Sequence, residues 1–173
     1  MARLSFPARE RATALARFPA PLNVFRMCGH APEMLSGLID FGLAALRELD
    51  LGARNRELVA LAVADATDCP YQRIQHLPLA RAAGLTEAEI AAPDTVPRPA
   101  AADTVLLAAT RELLTEATVL PGTMTALQVF FSDREIVEAI LLVGYFRKLA
   151  GILNAVEIEL DPQGELLVVA GVR

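Results

Sequence analysis

Two helical runs separated by a short break constrain this chain more than any other feature. Residues 54–65 place apolar side chains at 58, 59, 61, 62 and 63. Thr67-Asp68-Cys69-Pro70 then interrupts the pattern, and a second helical run reaches Ala83, with Gly84 beyond it. A proline is tolerated in the first turn of a helix and breaks one further in. Asp68 is the expected N-cap, Pro70 the first-turn residue and Gly84 the C-cap. The two runs therefore predict a helical hairpin that reverses just before Pro70.

Helical periodicity extends along most of the 173 residues. Pro32-Glu33 opens a helix to about Leu49, with apolar residues at 34, 35, 38, 39, 41 and 45; both opening residues suit a first turn. Thr86-Glu87-Ala88-Glu89 and Ser132-Asp133-Arg134-Glu135 have the form of capping boxes. The first opens a short helix. The second opens the most hydrophobic one, which runs to about Ala155 and is expected at the centre because it is apolar nearly all round. Residues 101–117 and 124–131 read as two further helices, with Pro121-Gly122-Thr123 as a break. Residues 92–100 hold three prolines and read as a linker, and Leu166-Leu167-Val168-Val169 as a short strand or packed tail. The pieces flanking the linker are too small to fold alone, so 1–173 is one domain, with an N-terminal arm (1–21) and a C-terminal tail (162–173).

Composition narrows the function classes. Hydrophobic residues make up 54% and charged residues 21%, a mix that folds rather than stays disordered. The apolar share exceeds the usual range, and burial between subunits would account for the excess. A net charge of −5 argues against nucleic acid or an anionic membrane as partner. The longest uncharged apolar stretch near the C-terminus, Ala139–Phe146, has eight residues, against about 20 for a bilayer span. Two cysteines, Cys28 and Cys69, make no secreted disulfide framework, so a cytoplasmic protein with reduced thiols is expected.

Cys69, Gln72 and His76 fall on one face of the second hairpin helix, at i, i+3 and i+7. Cys69 stands at the helix start, where the positive end favours a thiolate. Glu57 lies about 18 Å from Cys69 if the helix runs straight. A reversal at 68–70 instead brings it level with His76. A carboxylate beside an imidazole fixes the tautomer and makes a general acid/base unit. The chain has one other histidine, His30, near Cys28 in an expected turn. No cluster has structural zinc spacing, and no phosphate loop or nucleophile elbow occurs, so neither metal nor cofactor is expected. Arg147 and Lys148 interrupt an apolar helix and would face a cavity or a partner subunit.

At these residues the chain resembles the carboxymuconolactone decarboxylase family, within the alkyl hydroperoxidase D-like superfamily. The family's peroxidase branch carries Glu-x11-Cys-x2-Cys-x3-His. Glu57, Cys69 and His76 take the first, second and last of those positions, and Gln72 replaces the second cysteine. Another branch carries Tyr-Glu-Trp-x2-His, of which Tyr71 and His76 match. Asn23–Arg26, His30–Glu33, Arg56–Leu58, Ala80–Thr86, Ser132–Glu135 and Leu142–Arg147 extend the likeness over most of 22–161. The resemblance implies an all-α fold with a central helical hairpin. It also implies a homo-oligomer, trimeric or hexameric, with its site near a subunit interface. It makes Glu57, Cys69 and His76 the catalytic residues, with Tyr71 and Gln72 beside a small-molecule substrate.

Two chemistries follow from the resemblance. The expected one is a thiol-dependent, peroxiredoxin-type peroxidase, with the other as its alternative: Cys69 attacks a hydroperoxide with the Glu57–His76 pair as proton relay. Gln72 carries no thiol, so the resulting sulfenic acid would be reduced by an outside thiol. Cys28 would resolve it only if the two Cα atoms came within about 7 Å. In a cofactor-free decarboxylase or isomerase, His76 and Glu57 act as general acid and base on a lactone or unsaturated acid, and Cys69 is not needed. A third reading is a non-catalytic oligomeric member of the family.

Overall fold

A computed structural model describes residues 2–8, 22–91 and 101–161. The linker 92–100, the Leu166–Val169 segment and most of the N-terminal arm lie outside the described residues. Among those described the protein is all-helical. Its elements are α1 (Asn23–Cys28), α2 (Pro32–Arg47), α3 (Gly52–Ala66), α4 (Pro70–Ala82), α5 (Glu87–Ala91), α6 (Ala101–Glu116), α7 (Pro121–Phe130) and α8 (Asp133–Ala155). No helix among the described residues is long and apolar enough to cross a membrane.

The centre is α3, not α8. Every residue from Arg56 to Ala64 is buried, and α3 packs against α4, α6 and α8. The expectation for α8 is corrected by its outer face, where Val137 and Leu141 are 54% and 51% exposed. High apolar content did not distinguish a helix enclosed by its own chain from one that turns an apolar stripe outward. Pro121 is the first residue of α7, so the expected break there is a helix start. The short helix α1, which the sequence reading did not anticipate, leads into the Gly29–His30 turn.

The hairpin closes differently from the expectation. Asp68 does not cap α4; it is the left-handed residue (φ 47°) that ends α3. The Cys69 N–H donates to the Ala64 carbonyl at 2.9 Å and the Asp68 N–H to Asp65 at 3.2 Å. These are the paired bonds of a Schellman closure, which needs one residue at positive φ. Cys69 takes the N-cap position of α4, without a side-chain cap bond, and Pro70 follows in the first turn. From α8, Asn154 donates to the Thr67 carbonyl at 2.9 Å and holds the turn. Gly84 (φ 88°) closes α4 in the same way, with Leu85 N–H on Ala80 O at 3.0 Å. Both expected capping boxes are present, at Thr86/Glu89 and at Ser132/Glu135.

Candidate functional site

The reversal brings α4 back alongside α3, so that Glu57 faces His76. His76 Nδ1 lies 2.6 Å from Glu57 Oε2, and the Glu57 side chain is fully buried. Arg56 Nε donates to Glu57 Oε1 at 2.6 Å. The same guanidinium donates to Leu46 O at 3.0 Å and Ala45 O at 3.4 Å. Those carbonyls belong to the last turn of α2, which has no helical donors of its own. Arg56 therefore ties α2 to the carboxylate. Sequence reading passed over it; an arginine next to a glutamate inside an apolar run is the signal that it is buried and paired.

Burial works to raise the Glu57 pKa. Contact with His76, and then with Arg56, outweighs that and holds the carboxyl below its ordinary value. An ionised carboxylate only accepts hydrogen bonds, so Nδ1 carries the hydrogen and donates it. Nε2 is thereby set as the free ring nitrogen, the atom that can take or give a proton. Phe146 of α8 meets the imidazole edge-on, with ring centroids 5.0 Å apart and planes at 86°.

His76 lines an apolar cavity of about 70 Å³ between α1, α2, α3, α4 and α8, whose wall includes Phe25, Tyr71, Phe146 and Leu149. At roughly 10–15 Å³ per water position, that space holds about five heavy atoms. Gln72 and Gln75 also line it and are each 3% exposed. Gln72 Nε2 donates to the Ala60 carbonyl at 2.9 Å. Gln72 Oε1 and both amide atoms of Gln75 have no partner. An unsatisfied buried polar atom costs about 1–3 kcal/mol, so three beside one histidine are a functional signal. Gln75 was missed from sequence, although 72, 75 and 79 mark the face of α4 that Leu79 buries.

Tyr71 forms part of the cavity wall, but its hydroxyl is already engaged. It donates to Asp161 and accepts the Val24 N–H at 3.3 Å. Asp161 also accepts the Asn23 N–H at 2.8 Å. The phenol thus fastens the segment after α8 to α1, and burial together with Asp161 keeps it protonated.

Cys69 is 2% exposed and lines neither this cavity nor the larger groove described below. Burial pushes its thiol above the ordinary value, and Asp68 adds to that. The first-turn amides of Gln72 and Tyr71 pull the other way without prevailing. The expectation of a stabilised thiolate at the helix start is therefore corrected: desolvation outweighs the helix end. Both cysteines are free thiols. Cys28 lines a groove of about 800 Å³ between α2 and α8, together with Met34, Leu141 and Lys148. His30 is exposed, and its Nε2 lies 2.8 Å from the Ser5 carbonyl, a tie to the N-terminal segment. Among the described residues no group of three or more His, Cys, Asp or Glu could hold a metal ion.

This architecture, a buried helical hairpin presenting a Glu–His pair, has the alkyl hydroperoxidase D-like fold. The fold matches a peroxidase-related protein of Silicibacter sp. TM1040 at TM-score 0.78 and 17% identity, covering 93% of this chain and 92% of that one. It matches an alkylhydroperoxidase AhpD core protein of Ralstonia eutropha JMP134 at TM-score 0.77 and 16% identity, covering 98% and 96%. It also matches the debrominase Bmp8, solved with 2,3,4-tribromopyrrole, at TM-score 0.73 and 12% identity, covering 96% of both chains. Residues 32–115 match the carboxymuconolactone decarboxylase family model. Curated proteins gave no match.

Proposed function

We propose that the protein is a cofactor-free acid/base catalyst acting on a small molecule in the His76 cavity. One observation carries this reading: the only histidine in the hairpin is held through Nδ1 by a buried, ionised Glu57 and stands in the wall of a small apolar cavity. His76 Nε2 takes a proton from substrate carbon or oxygen. Glu57 stabilises the imidazolium that forms, and the proton returns to the rearranged or decarboxylated product. Arg56 is a positioning residue that keeps the carboxylate ionised. Tyr71 shapes the wall, and the glutamines reach the substrate. The expected setting is a cytoplasmic homo-oligomer, trimeric or hexameric, which the exposed Met34 and Leu141 favour.

A second reading, a thiol-dependent peroxidase, is supported by the place of Cys69 at the start of α4, where the Tyr71 and Gln72 amides favour the thiolate. The thiolate would attack the peroxide, forming an S–O bond and breaking O–O. The leaving alkoxide would take up a proton, and an outside thiol would reduce the sulfenic acid. Against it stand the burial of Cys69 and its absence from the His76 cavity.

The two are separated by assaying wild type, His76→Ala and Cys69→Ser on unsaturated lactones in heavy water and on alkyl hydroperoxides. The acid/base reading expects deuterium in the lactone carbon skeleton, lost about 10²–10⁴-fold in His76→Ala and kept in Cys69→Ser. Hydroperoxide consumption that disappears in Cys69→Ser, with no exchange into any lactone, would replace it with the thiol reading.

A further inference from the structure

We infer that Tyr145 limits the size of molecule taken at His76: its ring is the partition between the His76 cavity and the α2–α8 groove, and it holds the site to a small ring without an alkyl tail. This rests on the His76 cavity being the substrate site, and it names a residue that decides which substrates fit.

Among the described residues Tyr145 alone lines both spaces. A row of ring contacts crosses from one to the other. Phe41, in the wall of the groove only, stacks on Tyr145 with centroids 4.6 Å apart and planes at 20°. Tyr145 meets Phe146 at 5.8 Å and 61°. Phe146, in the wall of the cavity only, meets His76. The tyrosine is the one member of the row that both spaces share.

Its ring is held in place. It packs between Phe41 of α2 and Phe146 of its own helix, and its hydroxyl donates to the Leu38 carbonyl at 3.1 Å. Burial, and after it Cys28, raises the phenol pKa, so the hydroxyl keeps the proton it donates. Displacing the ring breaks that bond and two aromatic contacts at once. On one side lies a cavity of about 70 Å³, on the other a groove of about 800 Å³. An apolar tail that outgrows the first has space in the second, and the tyrosine ring stands between them.

The test uses γ-butyrolactone and γ-octalactone, which share one uncharged lactone ring, the second with a butyl tail. The full chain, labelled with ¹⁵N, is titrated with each while the His76 ring resonances are followed. Wild type should bind γ-butyrolactone at least about tenfold more tightly than γ-octalactone. Tyr145→Ala should reverse the order, because the tail then buries its methylenes in the groove. Tyr145→Phe, which keeps the ring, should retain the wild-type order. A merely loosened fold would not move the two ligands in opposite directions. γ-Octalactone binding as well as γ-butyrolactone in wild type, no saturable shift with either, an order that Tyr145→Ala leaves unchanged, or one that Tyr145→Phe reverses would each overturn the proposal. If Tyr145→Ala does not fold, Tyr145→Leu takes its place, and the wild-type comparison still decides. Binding and turnover separate this from the catalytic reading. His76-dependent deuterium exchange without the size limit sinks only the partition. The size limit without exchange sinks only the catalysis.

Discussion

His76 Nδ1 and Glu57 Oε2 meet at 2.6 Å although the residues are nineteen apart in sequence. The contact joins two helices through a turn of three residues, and it orients the one imidazole in the cavity wall. Each expectation below follows from that pair, its supports or the turn.

Glu57→Gln removes the charge that offsets Arg56 inside the protein. Breaking a buried pair in this way costs about 3–5 kcal/mol. The pH dependence should change with it. The Glu57 pKa is depressed in the folded state, so its ionisation contributes stability that is complete above the ordinary value of 4.5 and is lost as pH falls through the lower folded value. Urea denaturation between pH 7 and pH 3 should show wild type losing stability on acidification. Glu57→Gln should lose less over the same window. An equal loss in both proteins would mean that Glu57 is not ionised in the fold.

Arg56→Met leaves two α2 carbonyls and the carboxylate without their donor. With the second of the two lowering contacts gone, the Glu57 pKa should rise. The acid limb of the activity profile should then move to higher pH, while substitutions of exposed arginines leave it in place. A pH–rate profile of the variant checks this, and an unmoved limb would deny Arg56 its positioning role.

Cys69 should react slowly with a neutral disulfide reagent in the native state, and its rate should keep rising above pH 9.0, because burial raises the thiol pKa. Denaturation should accelerate the reaction sharply. Mass spectrometry of the Cys69 peptide against time reads both effects. Rapid labelling at neutral pH would restore the case for a thiolate nucleophile.

Asp68 is exposed and left-handed. Asp68→Val places a β-branched side chain at positive φ and should cost about 1–3 kcal/mol. Asp68→Gly should be neutral or slightly stabilising. Thermal melts of both distinguish a conformational requirement from a side-chain contact. Equal losses in the two variants would show that the Asp68 carboxylate matters instead.

Much of this was legible along the chain because helices are local. Ser132 and Glu135 are three residues apart, as are Thr86 and Glu89, so both capping boxes could be read directly. The pairing of Glu57 with His76 was legible because Pro70 excludes one continuous helix, and one reversal leaves a single register in which they meet. The family resemblance pointed to the same pair. What misled was adjacency read without depth. Asp68 has a capping side chain in the right place, yet ending α3 needed a left-handed residue first.

By itself the sequence determined helix content, the hairpin and the pairing of Glu57 with His76, since each depends on spacing within about twenty residues. Only the tertiary structure decided depth. It enclosed residues 56–64 of α3 on every side and left part of α8 open. It covered Cys69 so that desolvation overrode the helix end. It also buried two glutamine amides beside a cavity lined from five helices. Burial is set by neighbours distant in the chain, and it fixes which polar groups are free to do chemistry.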